Sequence, residues 1–96
     1  MEYTIKKNEQ RNRFEIEIEG EVALVDYKLF DGGISFLHTE VPEELEGKGI
    51  ASALAKHVLD YAAEHGLKVK PYCTFINSYI DKHPQYQANS LFHNKD

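Results

Sequence analysis

The spacing of apolar side chains changes period at Pro42, and that change decides what this chain can fold into. Before it, Phe14, Ile16 and Ile18 alternate with Glu15, Glu17 and Glu19, the two-residue period of a strand with one wet face. After it, Ile50, Leu54, Val58 and Tyr61 or Ala62 recur every three to four residues beside Ala51 and Ala55, while Lys56, Asp60 and Glu64 point away. The spacing predicts a helix over about 48–65, stopped by Gly66. The two regimes meet in Val41-Pro42-Glu43-Glu44-Leu45-Glu46-Gly47-Lys48-Gly49. A strand must therefore leave the core there, turn on glycine and become a helix.

The flanking segments complete the expected topology. Residues 1–13 are polar, with Tyr3 and Ile5 as anchors, and read as a frayed lead-in or a short edge strand. Gly20-Glu21 makes a tight reversal into a strand over 22–30. Ala23, Val25, Tyr27 and Leu29 lie on one face of that strand, and Val22, Leu24 and Phe30 on the other with Asp26 and Lys28, as in a central strand covered on both sides for part of its length. Asp31-Gly32-Gly33 is a hairpin turn, and residues 34–41 form a third strand. Residues 67–71 form a short fourth strand ending at Pro71, parallel to the third through a right-handed crossover. A second, shorter helix is expected over 74–82 with Phe75, Ile76, Tyr79 and Ile80 inward, ended by His83-Pro84, and residues 85–96 read as a loosely held tail. The expectation is a single α+β domain over 1–96 with its core at about 14–86. Its mixed sheet is an antiparallel meander followed by a strand-helix-strand crossover and a short C-terminal helix.

Bulk properties narrow the function. At 96 residues there is room for one core, and 42% hydrophobic with 28% charged residues is ordinary globular usage. The net charge of -5 and the scattered Lys and Arg argue against nucleic acid as a partner. Residues 1–10 do not read as a secretory leader, no apolar run approaches membrane-spanning length, and one cysteine cannot form an internal disulfide. A cytoplasmic protein that does not enter membranes is the expectation. His38, His57, His65, His83 and His93 have no metal-pair spacing, so no metal site is expected. Glu15, Glu17, Glu19 and Glu21 read as a solvated rim that could also attract a cationic amine.

The glycine turn carries the main chemical suggestion. A strand-to-helix turn aims unpaired N–H groups and the positive end of a helix dipole at one point, which suits phosphate; the alternative is that Gly47 and Gly49 only permit a sharp turn. Neither the Walker-A pattern nor the dinucleotide fingerprint is present. Glu46-Gly47-Lys48-Gly49-Ile50-Ala51 resembles the acetyl-coenzyme A motif of the GNAT-type N-acetyltransferases: Gln or Arg, x, x, Gly, x, Gly or Ala. Gly49 and Ala51 match its small positions, and Glu46 stands where the family has an amide or a guanidinium. The likeness extends through His38 to Pro42, Pro71-Tyr72-Cys73-Thr74-Phe75 and His83-Pro84 to a compact subfamily of stand-alone domains of this length. The resemblance implies that the third and fourth strands splay at the helix junction. It also implies that pantetheine bonds to the strand ending near Val41, and that the pyrophosphate rests on Glu46, Gly47, Lys48, Gly49, Ile50, Ala51 and Ser52.

Cys73 lies at the end of the fourth strand and the start of the second helix. A thiol there meets the positive end of a helix dipole, which favours nucleophilic attack, although free cysteine is also a common small core residue. In the subfamily it resembles, a cysteine at this position is the proposed active residue. It could carry the acetyl group as an acetyl-cysteine or position an amine for direct transfer. Direct transfer calls for a base, for which His38 and Glu40 on one face of the third strand are candidates, and an acid, for which Tyr79 is favoured over Tyr72. The resemblance thus implies acetyl transfer from acetyl-coenzyme A to an unidentified amine acceptor, by a monomer or weak dimer. The alternative is a non-catalytic module that binds coenzyme A or a protein.

Overall fold

The computed structural model describes residues 3–93. Five strands, β1 (Lys6–Asn8), β2 (Arg13–Ile18), β3 (Glu21–Phe30), β4 (Gly33–Glu40) and β5 (Lys68–Pro71), form one sheet in that order. All neighbours are antiparallel except β4 and β5, which are parallel and joined by α1 (Ile50–Glu64). The meander, the crossover and the second helix, α2 (Thr74–Lys82), stand where the two periodicities put them. Of the two readings of the lead-in, the edge strand is realised: Lys6 to Asn8 pair with Glu15 to Arg13.

One face of the sheet supplies the core. Phe14, Ile16, Ala23, Val25, Tyr27, Ile34, Phe36 and Val69 pack against Leu54, Ala55, Val58, Leu59 and Ala62 of α1 and Ile76 and Ile80 of α2. The rings of His57 and Tyr61, one helical turn apart on α1, meet Phe14 edge-on at 5.8 and 5.3 Å. The expectation that β3 is covered on both faces is corrected. Both helices sit on the Val25 side, and the other face carries Arg13, Glu15, Asp26, Lys28, His38 and Glu40, with Leu24 as its buried apolar residue. Leu29, grouped with Ala23, Val25 and Tyr27 on one face of the strand, is exposed beside the hairpin turn while those three are buried. At the same hairpin a Cβ on Gly33 would come within 2.5 Å of the Lys68 carbonyl, so only glycine lets β4 and β5 approach there.

Helix α1 begins at Ile50 rather than at Lys48, because Gly49 has φ +73°, a left-handed conformation that ends the turn and cannot continue a helix. Phe75, expected inward, is 37% exposed; α2 sits over β4 and β5, with Ile76 and Ile80 buried in the core and Tyr79 packed against it.

The tail is not loose over its described part. Residues Pro84–Asn89 form a 3₁₀ turn, Ser90 is fully buried and bridges Val69, and the Leu91 N–H donates to the Val69 carbonyl at 2.8 Å. The Tyr86 hydroxyl donates to Asp60 at 2.8 Å. Backbone and hydroxyl bonds, which leave no hydrophobic period in a sequence, hold this segment; residues 94–96 lie outside the described ones.

Candidate functional site

The site forms where β4 outruns β5. The two strands pair from Gly33 and Lys68 to Phe36 and Pro71 and no further. Strand β4 continues to Glu40, while the other chain turns away into α2, so the two part at Pro71. The Cys73 N–H donates to the Phe36 carbonyl at 2.9 Å and closes the base of the gap. Just above it Tyr27 pairs with Phe36 but Asp26 pairs with His38, so Leu37 is an extra residue, a β-bulge. Beyond this point the side of β4 away from β3 has no strand partner among the described residues. An unpaired edge of this kind offers backbone N–H and C=O groups to a ligand that can run alongside it.

At the far end of this edge a 3₁₀ turn, Glu43–Leu45, seats Leu45 in the core and delivers the chain to Glu46. Gly47 and Gly49 both have positive φ, +82° and +73°, and nothing lies within 4 Å of a Cβ on either. The conformation, and not crowding, requires glycine there. The first bond closing α1 runs from the Ala53 N–H to the Gly49 carbonyl, 3.0 Å, and no side chain caps the helix. The N–H groups of Ile50, Ala51 and Ser52 are therefore outside the helical ladder at its positive end. Tyr3 anchors the loop from outside, its hydroxyl donating to the Lys48 carbonyl at 2.6 Å.

Two clefts follow the gap and meet at Phe75. One of about 350 Å³ is lined by Val41, Glu46, Gly47 and residues 49–52, and one of about 390 Å³ by Leu37, His38, Thr39 and residues 72–75. The structure thus brings the glycine loop, the open edge of β4 and Cys73 along one groove. Cys73 is 8% exposed, and its Sγ lies 3.1 Å from Thr39 Oγ1. Thr39 was not singled out from the sequence, although alternation between His38 and Glu40 puts it on the inward face. Those two are exposed on the opposite face of β4, with His38 at the rim of the Cys73 cleft. Tyr79 is half-buried and stacks on His83 at 3.9 Å, lining a neighbouring cleft with Ser52 and Phe75. Among the described residues no three His, Cys, Asp or Glu side chains cluster as metal ligands, and no helix is long and apolar enough to cross a membrane.

A mixed sheet whose parallel pair parts beside a glycine-capped helix defines a GNAT-like fold. Comparison with known proteins places the chain within that class. Residues 13–89 match the family model described as GCN5-related N-acetyl-transferase. The mouse protein NATD1 is 35% identical over 83 residues, covering 83% of this chain and 76% of its own, and zebrafish NATD1 is 33% identical over 93 residues, covering 91% and 84%. The NMR structure of a GCN5-like protein from Staphylococcus aureus superposes with a TM-score of 0.72 at 33% identity, over 93% of this chain and 88% of that one. The chain belongs to the GCN5-related N-acetyltransferase family.

Proposed function

We propose that the protein transfers the acetyl group of acetyl-coenzyme A to a primary amine, with Cys73 at the reacting end of the groove. The observation that carries this reading is the continuity of the glycine loop, the unpaired edge of β4 and the thiol. In it the pyrophosphate rests on the N–H groups of Gly47 to Ser52, with Glu46 and Lys48 at its rim. Pantetheine lies along the backbone between Leu37 and Val41, and the thioester reaches the bulge beside Cys73.

Two routes balance. In direct transfer the neutral amine attacks the thioester carbonyl, the C–S bond breaks, the coenzyme A thiolate takes a proton and the amine gives one up. In the stepwise route the Cys73 sulfur attacks first, its proton leaving with coenzyme A thiol. The amine then displaces the acetyl group from sulfur and the proton returns to Cys73. Thr39, within hydrogen-bonding reach of the sulfur, orients it in either case. His38 reaches the amine from the rim, directly or through water, Glu40 lines neither cleft and is the weaker candidate base, and Tyr79 is the candidate acid.

Incubation with acetyl-coenzyme A, followed by intact mass and by release of free thiol, tests the reading. A +42 Da adduct on wild type that is absent in Cys73→Ala identifies the stepwise route, and amine acetylation that survives in Cys73→Ala identifies the direct one. Binding with no adduct, no hydrolysis and no acetylated amine would leave a coenzyme A-binding module in place of an enzyme.

A further inference from the structure

A concavity of about 680 Å³ lies between α2 and the docked tail and begins beside Cys73. Tyr72 and Thr74, which flank that cysteine, line both it and the Cys73 cleft. From there one wall is a stripe of α2 at helical spacing, Thr74, Asn77, Ser78 and Asp81. The opposite wall is aromatic: Tyr72 is 57% and Phe92 47% exposed, and their rings meet edge-on at 5.2 Å. Two large exposed rings held against each other are an unusual use of surface in so small a domain.

The far end carries a carboxylate. Asp81 is eight positions on from Cys73, about 12 Å along a helix rising 1.5 Å per residue. Its Oδ1 accepts from His93 Nε2 at 2.7 Å, while His93 Nδ1 meets Ser90 Oγ at 2.6 Å and the Phe92 N–H donates to the same Oγ at 3.3 Å. A neutral imidazole protonated on Nε2 satisfies all three bonds. Ser90 is fully buried, so the chain of bonds acts as a clamp that fixes Phe92 and the tail, and not as a nucleophile with its base. The Asp81 side chain remains 59% exposed, and its second oxygen has no hydrogen-bond partner among the described residues.

Resting on the amine-acetylating reading above, we propose that this groove binds the acceptor, and that the acceptor is a linear aliphatic diamine or polyamine with cationic nitrogens about 10–12 Å apart. The reacting amine sits neutral at Cys73. The methylene chain and any middle ammonium pass over Tyr72 and Phe92, where apolar contact and the ring faces both favour them. The far ammonium meets Asp81, and the -5 net charge of the chain adds a weak general attraction for such a ligand. A monoamine, which carries no far ammonium, gains the apolar contact only.

The test uses spermidine and n-hexylamine as acceptors, and spermidine alone as a ligand for the ¹⁵N-labelled protein. Wild type should acetylate spermidine with the lower KM. Asp81→Asn keeps an acceptor for His93 Nε2 and so preserves the clamp; it should raise the KM for spermidine about fivefold and leave that for n-hexylamine unchanged. Phe92→Leu should weaken spermidine more than n-hexylamine. Without acetyl-coenzyme A, spermidine should shift the amides of Asn77, Asp81 and His93. No wild-type preference, an equal loss of both acceptors in Asp81→Asn, or no shift along α2 would each overturn the groove assignment. Failure of the acetyl-transfer reading is recognised separately, by neither amine being acetylated while spermidine alone still shifts the α2 amides.

Discussion

Replacing Gly49 by alanine isolates the conformational role of the loop that starts α1. The added methyl meets no atom within 4 Å, so packing contributes nothing to the outcome. The cost is that of holding an L-residue at φ +73°, about 1–2 kcal/mol. For a domain of this length about 1 kcal/mol corresponds to about 4–8 °C in melting temperature, so Gly49→Ala should melt about 4–16 °C below wild type. Because relief of that strain rotates the N–H groups of Ile50 and Ala51 away from their common focus, acetyl-coenzyme A affinity should fall as well. Gly49→Asn is the companion variant, since asparagine enters the left-handed region at lower cost and should recover most of both losses. Thermal unfolding by circular dichroism and coenzyme titration by calorimetry read the two effects. An alanine variant that melts and binds like wild type would refute the claim that backbone conformation at Gly49 builds the site.

Three further outcomes follow from the same geometry. Tyr3→Phe removes the bond to the Lys48 carbonyl, a loss of about 1 kcal/mol, and should loosen the Gly47 to Gly49 amides in hydrogen exchange and weaken acetyl-coenzyme A severalfold. Unchanged exchange there would mean that the strap does not hold the loop. Glu46→Gln replaces a charge with an amide donor beside the proposed pyrophosphate and should tighten acetyl-coenzyme A; weaker binding would show that residue 46 faces elsewhere. For pH, burial of Asp60 opposes ionisation, but bonds from Lys56 and Tyr86 outweigh it and hold the carboxyl below its ordinary 3.8. Arg13 likewise holds Glu15 below its ordinary 4.5. Both are lowered carboxylates, so their stabilisation is complete above those values and is lost as pH falls through the lower folded ones. The melting temperature should therefore begin to fall below about pH 4.5, and Asp60→Asn should flatten part of that fall. An equal slope in the variant would remove Asp60 from the explanation.

What the sequence made legible was whatever leaves a period or a turn signal. Strict alternation in β2, the three-to-four spacing of α1 and the proline and glycine stops located the elements, and α2 spans the residues that its pattern marks. The glycine loop was visible because positive φ selects glycine. The bulge at Leu37 was not, since one extra residue in β4 shows only when its register against β3 is known. Thr39 was passed over because its role depends on a partner 34 positions away, and the docked tail because bonds of Ser90, Asn89 and Tyr86 to distant groups leave no local pattern. Which sheet face carries both helices is likewise a consequence of packing, and it sets His38 and Glu40 on the side of β4 away from the Cys73 sulfur.

The central claim is that acetyl-coenzyme A occupies the groove from the glycine loop along the open edge of β4 to Cys73. Titration of the ¹⁵N-labelled protein with acetyl-coenzyme A tests it most directly. The account predicts saturable shifts of the Gly47 to Ser52 amides together with those of Leu37 to Val41 and Cys73. Unshifted amides in both stretches at millimolar ligand would contradict it.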